Sequence, residues 1–308
     1  MLMKLNKKNP TKLFGFLQLM RPANLPTAAA DVLAGIAIAG GYPFHEVLGL
    51  GFFQAAFPIL LICLVSILLY AGGVVLNDVF DANIDAIERP ERPIPRGLIP
   101  KNEASFFGVL LLVAGTCLAF LISENTGFIA VILSLGILLY NSLAKRYSVW
   151  GPVVMGICRA LNLWMGFTLV TSDIPWNYIW IPLGYILAIT AVSREEVRGA
   201  TRYPALLAAI IYIIVILGIG GITYFETGRL LWPGLFLILF AIMLFRPLIQ
   251  VFKTRTPNAV RSAVKAGVMG VVVMDAAWAA GYGPWWLPLV ILLLLPIAML
   301  LAKRFSVT

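Results

Sequence analysis

Charge is scarce in this sequence. Only 12% of its 308 residues are Asp, Glu, Lys or Arg, whereas 61% are hydrophobic. Soluble domains carry about 25% charged residues. A water-dissolved chain of this length could not hide so much apolar surface, so the chain is expected in lipid. The mean hydropathy of +0.94 agrees. Histidine is nearly absent: His45 is the only one. It sits in a short polar loop, which leaves little room for histidine as a general base. Cysteine is also sparse, and Cys63, Cys117 and Cys158 all lie in apolar runs. Their odd number and lack of metal-ligand spacing point to small buried residues, with no disulfide proposed. Acids are outnumbered, 14 against 23 basic residues, for a net charge of +9. In so apolar a chain that surplus marks cytoplasmic loops, so no nucleic-acid partner is expected. A cleavable leader is not expected either. The first residues, MLMKLNKKNPTK, are basic and polar, and Arg21-Pro22 interrupts the run before any cleavage site.

What the sequence does have is long apolar runs. Helical spans are predicted at 24–43, 55–76, 104–122, 127–143, 151–171, 177–193, 203–224, 231–249, 263–281 and 286–302. Each is long enough to cross a ~30 Å hydrocarbon core at ~1.5 Å per residue. The last, led in by Gly283-Pro284-Trp285-Trp286, also suits an interfacial or re-entrant segment. The expected fold class is therefore an all-α, polytopic transmembrane bundle of nine or ten spans. We expect one domain over 1–308, led by a basic cytoplasmic segment, 1–23. Lys and Arg crowd the N-terminus and the even-numbered loops, while the odd-numbered loops hold only Arg229. This bias puts the N-terminus and the even loops in the cytoplasm.

The chemistry concentrates in the second loop. Asn77, Asp81 and Asp85 are spaced four apart, and Asp78 stands three before Asp81. On a helix these groups share one face. Three carboxylates so placed repel one another, and a hard divalent cation relieves the repulsion. Carboxylate and amide oxygens suit Mg²⁺, which takes substrate phosphate oxygens as further ligands. The cluster closes an apolar span, where acids are functional candidates by default. The alternative is a solvated acidic loop. Directly after it comes Arg89-Pro90-Glu91-Arg92-Pro93-Ile94-Pro95-Arg96-Gly97. Its prolines stiffen the segment, and Arg92 and Arg96 can grip phosphate oxygens, or simply mark a cytoplasmic loop. Charges inside spans include Asp31, Arg159 and Asp275. They should face the bundle interior, and Arg159 could pair with either acid, as a structural ion pair or as part of a substrate pocket.

Taken in order, Arg21-Pro22-Ala23-Asn24, NDVFDANID and RPERPIPRG resemble the UbiA superfamily of intramembrane prenyltransferases. That family's first acidic motif is N-D-x-x-D-x-x-x-D, followed by an R-P-x-x-x-G loop. The resemblance implies nine spans, Mg²⁺, a prenyl diphosphate donor, a small acceptor and a lateral opening to the lipid bilayer. It implies that Asp78, Asp81 and Asp85 carry catalysis and, with Asn77, hold the metal. Asn24, Arg92, Arg96, Tyr140 and Lys145 would bind substrate. The family's second motif, D-x-x-D-x-x-x-D, should close the sixth span. Here Ser193-Arg194-Glu195-Glu196-Val197-Arg198-Gly199-Ala200 keeps one acid, Glu196, as a metal ligand, with Ser193 and Ala200 in place of the others. Arg194 would help bind the diphosphate where the second metal's charge is weakened. That altered motif, with Arg159-Ala160-Leu161-Asn162 and Lys265, Gly267, Asp275 and Ala276, is similar to the divergent EboC proteins of bacterial secondary-metabolite clusters, which implies a bacterial inner membrane. The reaction implied is ionisation of the donor's C–O bond to an allylic cation, followed by attack of the acceptor. The alternative is a catalytically altered or inactive relative that binds or exports a lipid or metabolite.

Overall fold

The structure, a computed structural model, describes residues 11–44, 52–194 and 202–305. Those residues form helices and turns, with no strand among them. Eleven α-helices follow one another: α1 Lys12–Leu19, α2 Leu25–Ala39, α3 Phe52–Glu88, α4 Lys101–Ile122, α5 Glu124–Ser142, α6 Trp150–Phe167, α7 Trp176–Ser193, α8 Arg202–Thr227, α9 Leu231–Thr254, α10 Pro257–Tyr282 and α11 Leu287–Phe305. All ten predicted spans fall on helices, α2 to α11. Among the described residues, nine helical segments are long and apolar enough to cross a membrane, with α1 and α2 taken as one. The helix outside that set is α6, which carries Arg159 and Asn162, and not the terminal α11.

Two helices form the centre. The apolar windows of α2 and α10 are each 78% buried, while α11 is only 22% buried and faces outward. Both central helices are built from small residues, TAAADVLAGIAIA in α2 and GVVVMDAAWAAG in α10. Where a hydrophobic drive between helices is missing, small side chains let backbones approach closely. The clearest case is the crossing of α2 and α6. A Cβ on Gly35 would stand 2.1 Å from the Leu163 carbonyl oxygen, and one on Gly166 would stand 2.2 Å from that of Val32. Close packing there seats the inner residues of α6 against the core of α2.

The longest helix is α3, at 37 residues. At ~1.5 Å per residue it runs about 55 Å, well beyond a ~30 Å core, so its last turns project past the lipid. A small second core anchors that projection. Val75 and Val79 of α3 pack with Leu19 of α1, Ile99 of the following loop and Leu111 of α4. The loop folds tightly: the backbone N–H groups of Leu98 and Ile99 both donate to the Pro93 carbonyl, and Gly97 takes the positive φ of 74° that closes the turn. Gly15 of α1 leans directly on Leu98 and Ile99.

Gly35→Ala and Gly166→Ala are expected to force the α2–α6 crossing apart, at about 1–3 kcal/mol each. Gly221→Ala, with open space around the new methyl group, serves as control. Thermal unfolding of the detergent-solubilised protein checks this: both crossing variants should melt lower, and the control should not.

Candidate active site

The acidic face predicted from spacing is present, and it is buried. Asp78 and Asp85 are each only 5% exposed. Charges this buried need partners, and basic side chains from two separate segments supply them. The Arg92 guanidinium, itself buried, bridges the two acids, with Nη1 donating to Asp78 Oδ1 at 3.1 Å and to Asp85 Oδ2 at 2.6 Å. Arg21 Nη2 donates to the same Asp78 oxygen at 2.6 Å. Arg21 adopts a left-handed conformation, φ 46°, an uncommon one for a residue with a side chain. That conformation ends the approach from α1 and turns the chain into α2. The third acid, Asp81, has Lys145 Nζ at 2.6 Å from its Oδ1, a close charge contact without hydrogen-bond alignment. The same ammonium lies 5.8 Å from the centre of the Phe80 ring. Three carboxylates are thus matched by three cations.

Asn77 completes the row. Its Nδ2 donates to Asn141 Oδ1 at 2.9 Å, and Asn141 in turn donates to the Gly73 carbonyl. The amide N–H is therefore committed, and the Asn77 carbonyl oxygen remains as an acceptor. Tyr140 precedes Asn141, and its hydroxyl lies in the field of Asp81, Arg21 and Arg194. Arg194 ends α7, and its guanidinium donates to the Ser148 carbonyl.

Behind this mouth lies a cavity of about 310 Å³. Arg21, Asn77 and Tyr140 rim one end. Tyr70 and Val74 of α3, Leu133 and Ile137 of α5, and Ile186 and Ile189 of α7 form apolar walls. Thr27, Ser66, Arg159 and Asn162 make the opposite end polar. The cavity therefore runs from the acidic row toward α7, the sixth predicted span.

The structure brings Asn77, Asp78, Asp81, Asp85, Arg92, Tyr140 and Lys145 together. It does not bring in Arg96, whose Nη2 donates to Gln18 Oε1 on α1 at 3.0 Å. Asn24 lies in the turn that opens α2, where its carbonyl accepts the Thr27 hydroxyl. Glu196, like Glu195 and Arg198, lies outside the described residues. Contrary to the expectation of mutual repulsion relieved by a cation alone, basic side chains neutralise the acidic face here. Among the described residues, no group of three or more acids, histidines or cysteines converges as a metal cage. Two participants were not singled out from sequence, Arg21 and Asn141. Asn141 carried a usable signal, an amide just inside the end of an apolar span.

Comparison with known proteins adds a family. The sequence profile of the UbiA prenyltransferase family matches residues 28–266. Digeranylgeranylglyceryl phosphate synthase of Saccharolobus solfataricus is 32% identical over 188 residues, 61% of this chain and 63% of that relative. The chain thus spans less than two thirds of that relative's length. The enzyme of the same name from Methanosarcina mazei is 42% identical over a shorter 107 residues, 34% of this chain and 37% of its own. In three dimensions, a solved digeranylgeranylglyceryl phosphate synthase superposes with TM-score 0.64 at 22% identity, covering 88% of this chain and 98% of its own. A UbiA homolog from Archaeoglobus fulgidus bound to GPP and Mg²⁺ gives TM-score 0.59 at 13% identity, covering 86% and 99%. At such identities the superpositions establish the fold. These relatives bear on the family, not on the narrower EboC likeness.

Arg92→Ala would leave two buried carboxylates without their bridge. Breaking such a pair costs about 3–5 kcal/mol. Arg96→Ala, on an exposed amide contact, should change stability by no more than about 0.5 kcal/mol. Melting temperatures of the two variants, compared side by side, check this ordering.

Proposed function

We propose a function from one premise: the chain belongs to the UbiA prenyltransferase family. It is a membrane prenyltransferase that moves an isoprenoid group from a prenyl diphosphate to a small acceptor. The observation that carries this reading is the row of three acids and three cations at the mouth of a mainly apolar cavity. A purely structural role would not call for so many ionised groups around an open space.

The residues fit a divalent ion by their chemistry. Asp78, Asp81, Asp85 and the Asn77 carbonyl offer hard oxygen donors on consecutive turns of α3, the set that suits Mg²⁺. Each carboxylate now touches a cationic side chain that phosphate oxygens can draw away. Bound there, Mg²⁺ supplies charge neutralisation to the departing diphosphate. Arg21, Arg92 and Lys145 bind phosphate oxygens and hold the donor at the mouth. Tyr140 and Asn141 keep the rim ordered, Arg194 adds a cation at the end of α7, and Glu196 is proposed as a further metal ligand. The walls formed by Val74, Leu133, Ile137 and Ile186 hold the isoprenoid carbons and exclude water. The donor's C–O bond breaks with its electron pair leaving on the diphosphate. The acceptor atom then supplies the pair for the new bond to carbon and loses its proton.

We further place the N-terminus and the acidic row on the cytoplasmic side, in keeping with the Lys and Arg bias of the loops. The proposed membrane is a bacterial inner membrane, and the proposed domain covers 1–308. The enzyme class is transfer of prenyl groups, hence alkyl groups other than methyl.

Purified protein given Mg²⁺ and labelled prenyl diphosphates with lipid and small-molecule acceptors should release pyrophosphate. Asp78→Ala and Asp81→Ala should each abolish the release, and Lys145→Ala should slow it by about 10²-fold, the scale for removing one group that stabilises developing charge. Release that survives both aspartate substitutions would exclude this site. Mg²⁺-dependent binding of the donor without any turnover would instead favour a carrier.

A further inference from the structure

The polar end of the cavity is built around charges that the donor site does not use. Arg159 of α6 is the central group. Its Nε lies 2.8 Å from Asp31 Oδ2, and its Nη2 donates to the Thr27 carbonyl at 3.1 Å. Asn162, one turn along, donates through Nδ2 to the same Asp31 oxygen at 2.8 Å and to the Ala28 carbonyl at 2.9 Å. Ser66 of α3 donates to Asn162 Oδ1 at 2.7 Å. A second acid stands behind this group. Asp275 of α10 is fully buried, near enough for its charge to interact with those of Asp31 and Arg159, and neither of its oxygens has a hydrogen-bond partner. Asp31 follows the lining residue Thr27 by four positions, and Asp275 follows the lining residue Val271 by four. Both acids therefore sit one turn beneath the cavity floor.

The charge count decides what this floor can receive. One guanidinium faces two carboxyl groups. With a proton shared between the acids the cluster is neutral, and without one it is negative. In neither state is there surplus positive charge. The other described cation lining the cavity is Arg21, at the far rim and bonded to Asp78. An anionic group brought to the inner end would lose its water and find no free cation. An uncharged group would meet several polar atoms and no charge penalty.

We propose that the inner end of this cavity is an acceptor subsite for an uncharged, hydroxyl-bearing group, and that Asp31 and Asp275 set this specificity by neutralising Arg159. The word acceptor rests on the transferase reading above; the charge selection does not. Arg159, Asn162, Ser66 and Thr27 touch the ligand. Asp31 and Asp275 act through Arg159 and are positioning residues.

Binding in the absence of donor and Mg²⁺ tests this apart from catalysis. The probes are 4-hydroxybenzyl alcohol and 4-hydroxybenzoate, near-isosteric and differing by one negative charge at neutral pH. Equilibrium dialysis against the full-length protein in nanodiscs gives both affinities. The alcohol should bind about tenfold tighter or more, a difference of about 1.4 kcal/mol. The double variant Asp31→Asn with Asp275→Asn, which leaves Arg159 without a counter-charge, should move the ratio toward the carboxylate by about tenfold. Val268→Phe, which fills the cavity from α10, should abolish binding of the alcohol. A wild-type protein that prefers the carboxylate, or binds neither probe, overturns the proposal whatever the variants do. So does a folded double variant with an unchanged ratio, the result that merely structural acids would give. Should the double variant fail to fold, the wild-type ratio still decides. A protein that shows the expected pattern but releases no pyrophosphate keeps the subsite and loses the transferase reading.

Discussion

The architecture at the membrane surface depends on one buried ion network, Arg92 between Asp78 and Asp85 with Arg21 on Asp78. A carboxylate buried without a partner is so costly that the chain has few ways to fold around these acids. The loop after α3 must double back to bring Arg92 to its own helix, and the segment before α2 must turn through a left-handed residue to bring Arg21. The small core of Leu19, Val79 and Ile99 fills the space those movements create. Prolines at 90, 93 and 95 limit the loop's freedom in the unfolded chain and lower the entropy lost in fixing it. The mouth of the cavity is thus defined by electrostatics first and packing second.

Below the mouth the order reverses. Small residues let α2 pack closely against both α6 and α10, and that contact places Asp31, Arg159 and Asp275 in the centre of the bundle. Larger side chains at 35 or 166 would separate α2 from α6, and with them the partners of Arg159. The result is a cavity with charge at the rim, apolar walls and a polar end carrying no surplus positive charge. Such a gradient suits a ligand with an ionic head and a hydrocarbon body meeting a second, uncharged partner.

Much of this could be read from residue order. Apolar runs located ten helices because a span leaves an unmistakable stretch of hydrophobic side chains. Four-residue spacing located the acidic face because a helix repeats every 3.6 residues. Arg92 was legible from its place in the proline-rich loop. Arg21 was harder, since its partner Asp78 lies 57 residues away and only the fold brings them together. The role of Arg96 could not be separated from that of Arg92 by composition alone: both follow the same pattern, yet one turns inward to the acids and the other toward Gln18. The sequence put the doubt about the tenth span on the last segment, whereas the helix that falls short in hydropathy is α6, which carries Arg159 and Asn162 to the cavity.

Charge parity at the mouth links the two halves of the proposed chemistry. Three acids and three cations balance in the structure as it stands. A diphosphate arriving alone would draw the arginines and the lysine toward its own oxygens and strip the carboxylates of their partners. Asp78 and Asp85 are buried, so the exchange would be unfavourable without a second source of positive charge. A divalent ion arriving with the diphosphate restores the balance on both sides at once. Donor and metal affinity should therefore be strongly coupled in this protein. The coupling follows because each of the three acids there already has a cationic partner among the described residues, so neither charged partner can enter favourably without the other.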